Sequence, residues 1–162
     1  MKKSNCCYRL LPITLSLLMI ASACAKGSIT SQEKREVEHF KKAHRLWLEG
    51  SRYLNKITSG DFVVGSMSET ERNTYIKMLV DTLTEANLVS DITLSKIHPL
   101  LPSAYLSIFI PCLENKLRGF RDFDPAASVK GTILHNEWID WWNAHYLEFA
   151  NIVGIRKGRS NR

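Results

Sequence analysis

The last third of the chain carries the pattern that most constrains the fold. Leu134, Trp138, Trp141, His145, Phe149 and Ile152 recur at three- and four-residue steps, and Ile139, Trp142, Tyr146 and Val153 widen that stripe. Residues spaced this way share one side of a helix, because about 3.6 residues complete a turn. Only Glu137, Asp140, Glu148 and Asn151 remain clearly polar, so the spacing predicts a long helix lying centrally and packed by several neighbours. Adjacent Trp141 and Trp142 point about 100° apart, so both are buried only if that helix is nearly surrounded. At least one partly exposed indole is expected, and Trp142 is the candidate for an interaction surface, with Trp138 in the same group.

Capping signals mark the other helices. Thr30 with Glu33, and Ser68 with Glu71, have the spacing at which a hydroxyl and a carboxylate each satisfy a free N–H of the opening turn. After the first, Val37, Phe40, His44, Trp47, Ser51 and Leu54 form an amphipathic stripe running to about Ile57. Thr58-Ser59-Gly60-Asp61 breaks it, and Phe62-Val63-Val64 is a connector. After the second, Ile76, Leu79, Val80, Leu83 and Leu88 define the next apolar face, with Asn87 as a stop. Ser90-Asp91 opens a short helix ended by His98-Pro99, since the residue before proline avoids helical geometry.

Ala104 to Leu117 is apolar enough for a buried helix, but Pro111 removes a backbone hydrogen bond from its middle, giving either a kinked helix or two short pieces. Asp124-Pro125 supplies an N-cap and a first-position proline, and Gly131 is expected to divide a short opening turn from the long helix after Thr132. No cleanly alternating strand, heptad array or repeat competes with these signals. The chain therefore reads as all-α, a single-domain bundle of four to six helices with a long Trp-rich C-terminal helix.

The first residues have a different character. Lys2, Lys3 and Arg9 precede an apolar run from Leu10 to Ile20, which is interrupted by Pro12 and shorter than the roughly 20 residues that span a bilayer. The small residues Ala21, Ser22 and Ala23 then lead into Cys24. Ala21-Ser22-Ala23-Cys24 resembles the lipobox of bacterial lipoprotein signal peptides. That resemblance implies diacylglyceryl transfer to the Cys24 sulfur, cleavage before it, and acylation of the palmitate type. Ala21 and Ala23, or Ala23 and Ala25, also fit ordinary signal peptidase, and the second of these cuts discards Cys24. The expected organisation is a signal peptide over 1–23, a tether over 24–31, a helical domain over 32–155 and a basic tail over 156–162. Ala25 and Lys26 include no aspartate of the type that resembles inner-membrane retention signals, which favours the periplasmic face of the outer membrane.

Charge and cysteine content narrow the function further. The signal takes three of the 22 basic residues and none of the 16 acids, so the remaining chain has 19 against 16. Arg156, Lys157, Arg159 and Arg162 in the tail account for the excess, and the nearly neutral body has no nucleic-acid footprint. The tail itself could touch anionic lipid or wall polymer. If Cys24 is acylated, Cys112 has no partner and is expected to be buried as a small apolar residue. A Cys24–Cys112 disulfide is the alternative in a non-lipidated protein.

Motifs for chemistry are sparse. Glu36-x-x-His39 on the first helix and His145-x-x-Glu148 on the last could face each other, but the second pair runs in reverse order and a di-iron bundle needs two further carboxylates. His145 as a core residue, with Glu36 and His39 facing water, is the expectation, and no metal or cofactor is assigned. The sequence contains no His-Glu-x-x-His, Cys-x-x-Cys or Gly-x-Ser-x-Gly pattern. Glu114 and Glu137 have apolar or aromatic neighbours of the kind that raise a general acid's pKa, yet neither has an identifiable partner.

The expectation is a lipid-anchored envelope protein that binds another envelope protein as an accessory or assembly factor. Pilotins look similar in size and class. Trp142, Trp138, Arg156, Lys157 and Arg159 are its candidate contacts, and no catalytic residue is assigned. An immunity or inhibitor protein is one alternative, and a cell-wall hydrolase with a glutamate general acid is another.

Overall fold

The computed structural model describes residues 30–58 and 67–154. The expected signal peptide, Cys24, the Phe62-Val63-Val64 connector and the basic tail over 156–162 lie outside the described residues. Five helices make up the rest. We label them α1 (Ser31–Thr58), α2 (Glu69–Ala86), α3 (Asp91–Ile97), α4 (Leu101–Ala104, a π-helical turn at Tyr105–Phe109, then Ile110–Arg121) and α5 (Pro125–Val153). The all-α bundle with its long C-terminal helix is therefore the observed fold.

Helix starts follow the capping chemistry. Glu33 N–H donates to Thr30 Oγ1 at 3.2 Å while Thr30 N–H donates to Glu33 Oε2 at 2.8 Å. Ser68 and Glu71 make the same reciprocal pair for α2, and Asn87 closes that helix. Ser90 caps α3, which ends at an extended His98, and Asp124 accepts from Ala127 N–H ahead of Pro125. Such caps stabilise a helix by about 1 kcal/mol each. α5 stops where Gly154 turns left-handed at φ 65°, a conformation that costs glycine no Cβ clash.

The core runs through the middle of all five helices. Phe40, Leu94, Leu101, Tyr105, Phe109, Leu113, Phe120, Trp138 and Phe149 are essentially inaccessible to water. On α1 the expected stripe is the buried one, with Ser51 half-buried. On α2 the phase differs: Tyr75, Leu79, Thr82 and Ala86 are buried, whereas Val80 and Leu88 are exposed. Thr82 enters the core without penalty because its hydroxyl donates to the Met78 carbonyl at 2.7 Å.

Of the two alternatives at Pro111, a kinked helix or two short pieces, the second is excluded: the backbone of α4 stays right-handed helical through Ala104, Phe109 and Ile110, with a π turn just before the proline. The preceding π turn widens the helix where the proline ring would otherwise meet the Ser107 carbonyl one turn earlier. Gly131 does not divide α5. A Cβ there would stand 2.8 Å from both Lys116 N and Lys116 Cγ, and one at Gly119 would stand 2.9 Å from Ser128 Cα. The two glycines thus let α4 and α5 cross closely. One side of α5 is open, with Val129, Ile133, Asn136, Asp140, Asn143 and Leu147 exposed along it, and Trp141 and Trp142 both stay partly exposed, as their separation of about 100° leads one to expect.

Candidate functional site

Glu36-x-x-His39 and His145-x-x-Glu148 do not meet. Glu36 is buried, contrary to the expectation that it faces water, and it reaches α3 instead. It accepts hydrogen bonds from Ser90 N–H at 3.0 Å, from the Ser90 hydroxyl and from Thr93 Oγ1 at 2.6 Å, while Gln32 donates to its other oxygen. The Ser90 hydroxyl, then Thr93, hold its carboxyl down at about 2. His39 pairs across to Glu85 on α2 at 2.7 Å, and Lys42 Nζ lies 2.6 Å from the same carboxylate. Both clusters join helices rather than open a site.

His145 and Glu148 are instead joined by His98, which the sequence marked only as a helix stop. His98 Nε2 lies 2.5 Å from Glu148 Oε2 and His145 Nδ1 lies 3.5 Å from Glu148 Oε1. One ligating atom from each residue falls within 4.8 Å of the others. The hydrogen bonding, however, assigns the proton: Leu100 N–H donates to His98 Nδ1 at 3.3 Å, so Nε2 carries the hydrogen and donates it to Glu148. A metal at Nε2 would need that hydrogen on Nδ1, facing another donor. The trio acts as a clasp between the end of α3 and α5. The His98 bond holds the Glu148 carboxyl below its usual range.

The expected tryptophan surface is divided. Trp138 is fully buried, its ring centroid 4.7 Å from that of Phe109 and 5.4 Å from that of Trp141, so it belongs to the core and presents no contact surface. Trp142 is half-buried, lying flat on His44 at 3.7 Å and 14°. Burial pushes the His44 imidazole down to about 3. Of the two candidate general acids, Glu137 is exposed on α5. Glu114 lines an open depression of about 300 Å³ with Asn115, Leu117, Arg118 and Arg121, which has no aromatic wall.

A second depression, of about 400 Å³, opens between the second half of α1, α4 and α5. Ser51, Asn55, Thr58, Lys116, Ser128, Thr132, His135 and Asn136 supply its polar lining, and Leu54, Phe120 and Ile139 an apolar wall. No aspartate or glutamate lines it. Lys116 is only 6% exposed, and no ion pair reaches it among the described residues. Burial pulls its ammonium below the usual lysine range. Ser128 Oγ, packed against Gly119, and His135 Nδ1 are buried without a hydrogen-bond partner. The sequence held one clue. Lys116 falls on the stripe Phe109, Cys112, Leu113 and Phe120, a position at which a lysine buries its stem against the core.

No protein-family model, curated protein or solved structure matches the chain.

The described surface adds one more feature. Val129, Ile133 and Leu147 project from the outer side of α5 with 61%, 52% and 83% of their surface exposed. Four residues separate the first two and fourteen the next, close to one and four helical turns, so they share a line along the helix. No helix among the described residues is long and apolar enough to cross a membrane.

Proposed function

We propose that this protein is a lipid-anchored component of the bacterial envelope that acts by binding another protein, as an accessory or assembly factor similar in class to pilotins. The observation that carries the binding half is the bare apolar row Val129, Ile133 and Leu147 on a 29-residue helix. Covering such side chains returns about 25 cal/mol for each Å² removed from water, and the isolated domain leaves that free energy unused. Asn136, Asp140 and Asn143, exposed on the same side between Ile133 and Leu147, supply polar contacts that orient a partner. Arg156, Lys157 and Arg159 follow α5 in sequence and would meet acidic groups on the partner or lipid headgroups nearby. Trp142, already covered by His44, contributes at most an edge.

The anchoring half rests on Ala21-Ser22-Ala23-Cys24. With α1 starting at Ser31, a tether of residues 24–30 reaches at most roughly 25 Å when fully extended, which keeps the domain near the membrane surface. Two or three acyl chains hold it there, since each buried methylene contributes about 0.8 kcal/mol. The periplasmic face of the outer membrane is the proposed address.

The test places a photoreactive amino acid at Leu147 or Ile133 in cells, with Lys77 on α2 as the control position. A discrete crosslinked protein from the α5 positions and none from Lys77 is the expected result. No crosslink from α5, or the same products from all three, would refute the reading. The partner's identity then separates an assembly factor from an immunity or inhibitor protein.

A further inference from the structure

Lys116 offers chemistry that the binding row leaves untouched. Only 6% of the residue is exposed, yet its ammonium is not sealed from water, and it lines a depression that no carboxylate lines. Its placement is built into the helix crossing. The Lys116 backbone and stem pass over Gly131, where a Cβ would come within 2.8 Å of both. Beside it, His135 Nδ1 is buried and unpartnered, and its ring packs 5.1 Å from that of Trp47. Leu54, Phe120 and Ile139 supply the apolar part of the lining, Phe120 one turn from Lys116 on the same helix.

We propose that the depression is a binding site for a monocarboxylate with an apolar body, whose carboxylate pairs with Lys116 and whose body lies against Leu54, Phe120 and Ile139. A single cation matches a single negative charge. His135 adds none at neutral pH, because burial pushes its imidazole down to about 4. A dianion such as phosphate would therefore bring in more charge than the site neutralises. About 400 Å³ is within the usual range for small-molecule sites. The carboxylate could belong to a free organic acid or to the C-terminus of a peptide chain, and both present the same group.

The experiment is calorimetric titration of the full protein, purified from membranes in detergent, with four probes: hexanoate, a leucine-ending pentapeptide with a free C-terminus, the same peptide amidated, and inorganic phosphate. Saturable binding of hexanoate or the free-acid peptide, at least tenfold tighter than phosphate or the amidated peptide, is expected. Whichever probe binds identifies the source. Lys116→Met should weaken binding at least tenfold, and its micelle background controls for partitioning. Asn136→Trp, at the exposed rim, should block the mouth without touching the core, so the proposal remains testable if Lys116→Met does not fold. No saturable binding by either carboxylate, or equal binding by wild type and both variants, overturns the assignment. Neither result bears on the α5 crosslinks.

Discussion

His44 should make this domain lose stability from about pH 6.5 downward, starting above the range in which ordinary carboxylates take up protons. Its ring lies flat on Trp142 with 6% exposure and no partner for Nδ1. Burial holds it at about 3, whereas the unfolded chain has the ordinary 6.5. A depressed folded pKa means the contribution is complete above pH 6.5 and is lost as pH falls toward 3, because only the unfolded chain takes up the proton. The slope is about 1.4 kcal/mol per pH unit, or about 2.7 kcal/mol by pH 4.5. Cation–π attraction to Trp142, up to about 2 kcal/mol, acts only once the folded ring itself takes up the proton, which brackets the loss by pH 4.5 between about 2 and 3 kcal/mol. His135, pushed to about 4 by burial and then by Lys116, adds a parallel loss over pH 6.5 to 4. The charges beside His44, namely Glu38, Lys41, Lys42 and Arg45, line an open depression and stay solvated. Urea unfolding followed by tryptophan fluorescence from pH 7.5 to 4.5 measures the slope, and His44→Phe keeps the stack while removing the titration. The difference in stability between wild type and His44→Phe should change by about 2–3 kcal/mol across that range. Parallel curves would refute the reasoning.

The remaining predictions concern packing and the buried polar network. Gly131→Ala should lower stability by about 1–2 kcal/mol in urea, because a Cβ 2.8 Å from the Lys116 backbone outweighs alanine's better helix propensity. Glu36→Gln should cost about 1–3 kcal/mol at pH 7, since the Ser90 and Thr93 donors lose a charged acceptor. That difference should shrink as pH falls from 4.5 toward 2, where wild-type Glu36 itself becomes protonated. Cys112, fully buried, with its thiol pushed up to about 11 by burial, should resist a thiol reagent such as Ellman's in the native protein and react fully in urea.

Local chemistry was the legible part of this fold. The caps at Thr30, Ser68, Ser90 and Asp124 are decided by residues three positions apart, and each forms as its spacing predicts. The α1 stripe is legible for the same reason. What needed the third dimension was the identity of the neighbour. Gly131 reads as a break until Lys116 is seen against it. The burial phase of α2 brings Thr82 inward with its hydroxyl already satisfied, which hydrophobic spacing does not register. Glu36 is a surface residue by pattern and a buried acceptor by virtue of Ser90, fifty-four positions away. The same holds for function. The sequence singled out His145 and Glu148 but not His98, whose Leu100 N–H bond turns a ligand-like trio into a clasp. It placed Trp138 beside Trp142 among the candidate contacts, although Trp138 is wholly buried.

The claim on which the proposed function depends is that the mature protein starts at an acylated Cys24. The most direct test is the intact mass of the protein extracted from bacterial membranes, alongside a Cys24→Ser variant. The account predicts a polypeptide lacking residues 1–23 with the added mass of two or three acyl chains, and a variant that is unprocessed or released. A membrane-extracted chain whose mass shows no acyl addition at Cys24 would contradict it.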